Sequence, residues 1–106
     1  MTERRTSVYE DIETLLAAPR EGVDAPALAH VEHTLTTGYA RALALEAERL
    51  RVERRIGELT AGGDPDEELG PLTERRDIAA DELTRLRALL HPLKLRASEL
   101  RLAERV

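Results

Sequence analysis

The chain has no cysteine, no tryptophan and no phenylalanine, and its 106 residues carry only two aromatic rings, Tyr9 and Tyr39. Without thiols there are no disulfides, no thiolate metal sites and no cysteine nucleophile. Aromatic side chains supply much of the burial in compact cores, so a thick globular core is not expected. Lysine is nearly absent, with Lys94 the only one among sixteen basic residues. No apolar run approaches the ~18 residues that read as a membrane span. The opening MTERRTSVYEDIE lacks the apolar core of a secretory signal. A cytoplasmic protein without membrane contact is the expectation.

What is present is charge and leucine-type periodicity. Charged residues make up 35% of the chain, and Ala, Leu, Glu and Arg dominate. That profile fits long helices and coiled coils. Regular recurrence of Leu, Val, Ile and Ala argues against disorder. The length allows one domain at most.

Ser7-Val-Tyr-Glu10 reads as a capping box. Val8, Ile12, Leu15 and Leu16 then fall on one face of a short helix. Residues 18–25, with Pro19 and Gly22, read as a linker. Asp24 and Pro26 predict the start of a second helix. From there two heptad registers run to about Leu59. One holds Leu28, Leu35, Ala42, Arg49 and Ile56, and the other Val31, Gly38, Leu45, Val52 and Leu59. Thr60-Ala-Gly-Gly-Asp-Pro-Asp-Glu67 punctuates the chain. Gly62 or Gly63 suits a left-handed helix end. Asp64 with Pro65 suits the next start, and Pro71 marks an alternative one. The last helix repeats Leu69, Arg76, Leu83, Leu90, Ala97 and Glu104 against Leu72, Ala79, Leu86, Leu93 and Leu100. Pro92 predicts a kink near residues 88–92.

Two long helices joined by a short glycine-rich turn must fold back antiparallel for their seams to meet. The expected fold is therefore all-α. Residues 1–25 form a short N-terminal helix and linker. Residues 26–106 form an antiparallel coiled-coil hairpin with arms of about 26–60 and 65–106. Two-helix hairpins are marginal alone, and a helix apolar on two sides has two neighbours. Tyr39, Leu43, Ala47 and Leu50 lie beside the first seam, and Ala88, Leu95 and Leu102 repeat every seven residues opposite the second. The N-terminal helix, a second copy or a client protein are the candidates to cover this surface. A homodimer forming a four-helix bundle is the leading expectation.

Charge is unevenly spread. Residues 62–82 hold Asp64, Asp66, Glu67, Glu68, Glu74, Asp77, Asp81 and Glu82 against Arg75 and Arg76, whereas residues 83–106 hold Arg85, Arg87, Lys94, Arg96, Arg101 and Arg105 against Glu99 and Glu104. The last helix thus complements its own macrodipole. The same polarity suits a dimer register or an acidic or basic client. The overall charge of −5, with no basic patch interleaved with aromatics, speaks against nucleic acid.

No catalytic, cofactor or metal site emerges. His30 and His33 share a helix face but lack a third ligand, and Gly62-Gly63 lacks the Lys and Ser/Thr of a phosphate loop. His91 beside Pro92 is expected simply to occupy the kink. Arg49, on a seam position, is expected either to snorkel outward or to pair with an acid across the hairpin or dimer. Gly38 either admits close backbone approach or leaves room for a ligand or partner side chain. With Thr36, Thr37 and Tyr39 it makes EHTLTTGYARAL the least generic segment.

The helical-hairpin plan, with Glu32-x3-Thr36 in the first arm, resembles the small actinobacterial anti-sigma factors of the RsiG type. Their hairpin helices carry E-x3-S-x2-R-x3-Q-x3-D. Here Tyr39, Leu43 and Ala47 stand where Arg, Gln and Asp belong, and the last arm has no version of the motif. The resemblance implies an anti-sigma or adaptor role toward a protein partner and does not extend to the family's cyclic di-GMP site.

The expected function is a non-enzymatic interaction module that sequesters or scaffolds a partner such as a sigma factor or other regulator. Gly38, Tyr39, Leu43, Ala88, Leu95 and Leu102 are the expected contacts. A second reading is a sensor that holds a small anion or nucleotide between hairpins, with Glu32, Thr36, Arg41 and Arg49 as its residues. A third is a structural subunit of a larger assembly.

Overall fold

A computed structural model describes residues 7–63 and 67–105. Three helices, α1 (Val8–Ala17), α2 (Leu28–Ala61) and α3 (Leu69–Glu104), follow one another, and no strand occurs among the described residues. The chain divides into two compact units. The first takes residues up to Ala40 and from Leu86 onward, and the second takes Arg41–Arg85. In both units α2 and α3 pack together.

The ends of α1 follow from local chemistry. Ser7 is extended (φ −68°, ψ 156°), and its hydroxyl accepts from the Glu10 amide at 3.3 Å. Glu10 and Asp11 place negative charge in the first turn, where the macrodipole favours it. Ala18 is extended and closes the helix, as expected of a residue before proline. Ser7→Ala is expected to destabilise α1 by about 0.5–1 kcal/mol, read as faster amide exchange across Ile12–Leu15; exchange at the native rate would show the cap to be dispensable.

In the linker, Gly22 has φ +93° and its carbonyl accepts from Ala25 at 3.2 Å. A side chain at that φ is strained.

Helix α2 starts at Leu28, not at the Asp24–Pro26 signal. The Ala27 carbonyl takes the amides of His30 and Val31. Pro26 disfavours helical backbone at Ala25, so Asp24 lies too far upstream to cap. At the other end Gly63 adopts φ +71° and its amide donates to the Thr60 carbonyl at 3.2 Å. Of the two glycines, Gly63 takes the left-handed position.

The expected cap at Asp64–Pro65 lies outside the described residues. Helix α3 begins at Leu69, between the two starts that the prolines suggested. Pro71 falls in its first turn, where amides have no helical acceptor and the missing N–H costs nothing. Helix α3 runs on through Pro92 to Glu104 as one helix.

In the first unit, α1 shares a core with residues 28–40 and 86–104. Ile12, Leu15, Val31, Leu35, Leu86, Leu90, Leu93 and Ala97 are buried there. In the second unit the core is Ala42, Leu45, Val52, Leu72, Ala79 and Leu83. These are the positions that the heptad pattern assigns to the seam. Ion pairs that cross the second unit include Arg41–Glu82 at 2.7 Å, Glu48–Arg75 at 3.1 Å and Arg55–Glu68 at 3.0 Å. Each step of seven along α2 is a step of seven back along α3, so the helices are antiparallel. Hydrogen bonds to Glu68 and then Glu58 hold the Arg55 pKa above its ordinary value.

Candidate functional site

The segment around Gly38 is explained largely by packing. Thr34, Thr36 and Thr37 donate their hydroxyls to the carbonyls of His30, Glu32 and His33 at 3.0–3.1 Å. This back-bonding lets buried Thr34 sit mid-helix with its polar group satisfied. Gly38 is itself buried, and a Cβ built on it would lie 2.5 Å from Leu90 Cδ2. The space beside it is filled by this chain. What approaches Gly38 is the Leu90 side chain of α3, not a backbone, and Gly38 offers no open contact surface.

Tyr39 is 42% exposed. With Glu32, Leu35 and Thr36 of α2 it lines a shallow cleft of about 220 Å³, closed on the other side by Lys94 and Arg101 of α3. Arg101 donates to Glu32 Oε2 at 3.1 Å. Among the described residues no carboxylate lies within ion-pairing distance of Lys94. Glu32 and Thr36, expected for the sensor, and Tyr39, expected as a partner contact, thus line one cleft, together with Lys94 and Arg101, which the sequence did not single out.

The structure does not bring the other two residues of the sensor reading here. Arg41 is engaged with Glu82 through two hydrogen bonds of 2.7 and 2.9 Å. Arg49 is half-exposed and turns to Glu53 of its own helix, Nε to Oε1 3.7 Å. Among the described residues Arg49 pairs with no acid of the other arm; its nearest acid is the intrahelical Glu53.

Residues Ala88, Leu95 and Leu102 of α3 form an uncovered row. Ala88 is exposed, Leu95 is 53% exposed and Leu102 is 63% exposed. The residues of α3 buried in the first unit, Leu86, Leu90, Leu93 and Ala97, lie on the opposite side of the helix. The N-terminal helix therefore does not cover this row. In the second unit Leu43 is 67% and Leu50 55% exposed, with exposed Ala47 between them.

No family model matches this chain, and no characterised protein or solved structure is significantly similar to it.

Where α1 does dock is shown by Arg96, which the sequence reading counted only as part of a basic helix end. Its side chain is buried, and its guanidinium donates to the carbonyls of Leu15, Leu16 and Ala18 at 3.3–3.5 Å. It supplies the positive charge that the last turn of α1 lacks. Arg20–Glu99 at 3.8 Å flanks this junction. A cation at that position was visible in the sequence, but a long-range capping role leaves no local signature.

His30, His33 and His91 are exposed. Among the described residues no group of three His, Asp or Glu side chains could hold a metal ion. No helix there is long and apolar enough to cross a membrane.

Proposed function

We propose that this chain is a non-enzymatic, cytoplasmic protein-interaction module: a helical hairpin that pairs with a second copy and sequesters or scaffolds another protein. The observation that carries the reading is the row Ala88–Leu95–Leu102, apolar and uncovered on a helix whose opposite side is buried. Leaving large apolar groups in water forgoes about 1.5–3 kcal/mol for each that a partner could bury fully. They recur every seven residues, at one of the two positions per heptad that a helix–helix seam uses. The patch Leu43–Ala47–Leu50 on α2 supplies a separate surface for self-association, where two copies would build a four-helix bundle. A transcription regulator such as a sigma factor is the partner that the family resemblance suggests.

The sensor reading is less favoured. A cleft of about 220 Å³ falls below the ~300–1,000 Å³ usual for ligand pockets. One of its two cations is already paired to Glu32. A nucleotide or small-anion screen by thermal shift is expected to move the melting temperature by less than about 1 °C.

Light scattering tests the pairing. The native chain is expected to have twice the mass of one chain, and Leu43→Asp with Leu50→Asp to have the mass of one, with helicity retained. A native monomer sinks the dimer, and a species far larger than two copies supports a structural subunit instead.

A further inference from the structure

Among the described residues Arg96 is the only charged residue that is buried, at 7% exposed. A buried charge is ordinarily paired with an opposite one. Among the described residues no carboxylate lies within ion-pairing distance of Arg96. Glu99 stands one turn along α3, but it is half in solvent and turned to Arg20. The acceptors that Arg96 does have are neutral: the carbonyls of Leu15 at 3.5 Å, Ala18 at 3.4 Å and Leu16 at 3.3 Å. Each bond is longer than the ~2.7–2.9 Å of a cationic N–H paired to a carboxylate.

All three acceptors belong to α1 and the residue that ends it. A helix of ten residues does not hold itself together in water, so its groove in the first unit both shapes and seats it, with Ile12 and Leu15 buried there. Among the described residues no hydrogen bond or ion pair joins residues 21–27 to α1 or α3. Departure of α1 therefore gives up the carbonyl bonds, the apolar contacts and the exposed Arg20–Glu99 pair, and the linker has no polar contact to lose.

We propose that this groove is a binding site for a short amphipathic helix of another protein, one that ends at its chain terminus, and that α1 is its resident cover. The α-carboxylate of such a helix occupies the main-chain position of the Ala18 carbonyl and supplies the counter-ion that Arg96 lacks. Hydrogen bonds between charged groups are roughly twice as strong as those to neutral acceptors. In water a carboxylate is unfavourable at the end of a helix dipole; against a buried guanidinium it is complementary. Helix α1 matches the groove in shape without the charge, and its tether keeps it at high effective concentration. The site is thus closed until a better-charged helix competes. It uses none of the apolar rows on which the interaction reading above rests.

The probe is the α1 segment itself, a labelled peptide of residues 7–18, made with a free C-terminal carboxylate and with a carboxamide. The receiver is the full chain with Ile12→Lys, which puts an unpaired charge at a buried position of α1 and drives it from the groove. Its α1 amides should lose protection. Fluorescence anisotropy is expected to show the free acid binding this chain at least tenfold tighter than the carboxamide. Adding Arg96→Met should erase that difference while circular dichroism stays unchanged. The native chain, whose own α1 competes, should bind the free acid at least tenfold more weakly than Ile12→Lys does. At millimolar concentration the free acid, but not the carboxamide, should strip protection from Val8–Ala17 amides of an isotope-labelled native chain.

Equal affinity for the two forms, or a preference that survives Arg96→Met, overturns the carboxylate-ended partner. Binding of neither form to Ile12→Lys overturns it too, as does an Ile12→Lys chain whose α1 stays protected. If Ile12→Lys unfolds the first unit, the native chain decides, and α1 protection that withstands the free acid sinks the proposal. A carboxamide that binds as well as the acid and splits a native dimer assigns the groove to α1 of a second copy instead. Leu43→Asp with Leu50→Asp, and Leu95→Asp with Leu102→Asp, leave this groove untouched. Loss of pairing or of a pulled-down protein in those variants bears on the reading above and not on this one.

Discussion

Gly38→Val is expected to lower stability by about 3 kcal/mol, measured by urea denaturation followed by circular dichroism. A side chain at this position should gain helix propensity, by up to about 1 kcal/mol for alanine and less for valine. Packing opposes it. The first added carbon would lie 2.5 Å from Leu90 Cδ2, well inside van der Waals contact. Leu90 is 2% exposed, so it has no solvent into which to swing. Overfilling a packed core costs about 1–3 kcal/mol, and valine adds two methyl groups beyond the first carbon.

Alanine is expected to give a net loss of about 1 kcal/mol, since its propensity gain offsets part of the clash. Leu90→Ala alone should cost about 2–5 kcal/mol through its cavity. Combined with Gly38→Val it should cost about 2 kcal/mol less than the two changes summed, because the valine fills that cavity. A Gly38→Ala variant stabilised by the full propensity gain would mean that α3 does not approach α2 here.

Arg96→Glu is expected to release α1. The substitution places a carboxylate among the carbonyls of Leu15, Leu16 and Ala18, at the negative end of the α1 dipole and in a position only 7% exposed. An uncompensated buried charge costs about 3–5 kcal/mol. A helix of ten residues does not hold itself together in water, so a cost of that size is met by undocking. Amide exchange across Val8–Ala17 should then lose its protection, while amides of α2 and α3 in the second unit keep theirs.

Arg96→Met keeps the aliphatic stem packed and leaves the carbonyls without a donor. Its expected cost is about 2 kcal/mol, with hydrogen bonds of 3.3–3.5 Å arguing against more. Native protection of α1 in Arg96→Glu would show that the docking is carried by Ile12 and Leu15 alone.

Both predictions concern contacts between residues far apart in the chain, and those are what a reading of the sequence handles worst. Leu90 was assigned to a seam and Gly38 to the facing one, yet nothing local says which residue of α3 meets the glycine. The heptads gave the buried positions Val31, Leu35, Leu45, Val52, Leu83, Leu86, Leu90, Leu93 and Ala97 because side-chain direction on a helix depends only on spacing. The seven-residue steps of Arg41–Glu82, Glu48–Arg75 and Arg55–Glu68 lay in the same pattern and went unread, since their pairing requires the register between helices. Arg41 and Arg49 looked available for a ligand for that reason; one turned to Glu82 and the other to Glu53.

Periodicity, turn chemistry and the lack of aromatic bulk determined that the chain is helical, where its helices break to within a few residues, and which faces are apolar. These properties follow from backbone geometry and nearest neighbours, so they are written in short windows of residues. Tertiary structure alone decided that Leu90 fills the space beside Gly38 and that Arg96 closes the end of α1. It also decided that Lys94 and Arg101 meet Glu32, Thr36 and Tyr39 across a cleft, and that Ala88, Leu95 and Leu102 stay uncovered. Each depends on how one helix is rotated and slid against another, and that is set by the sum of many weak contacts.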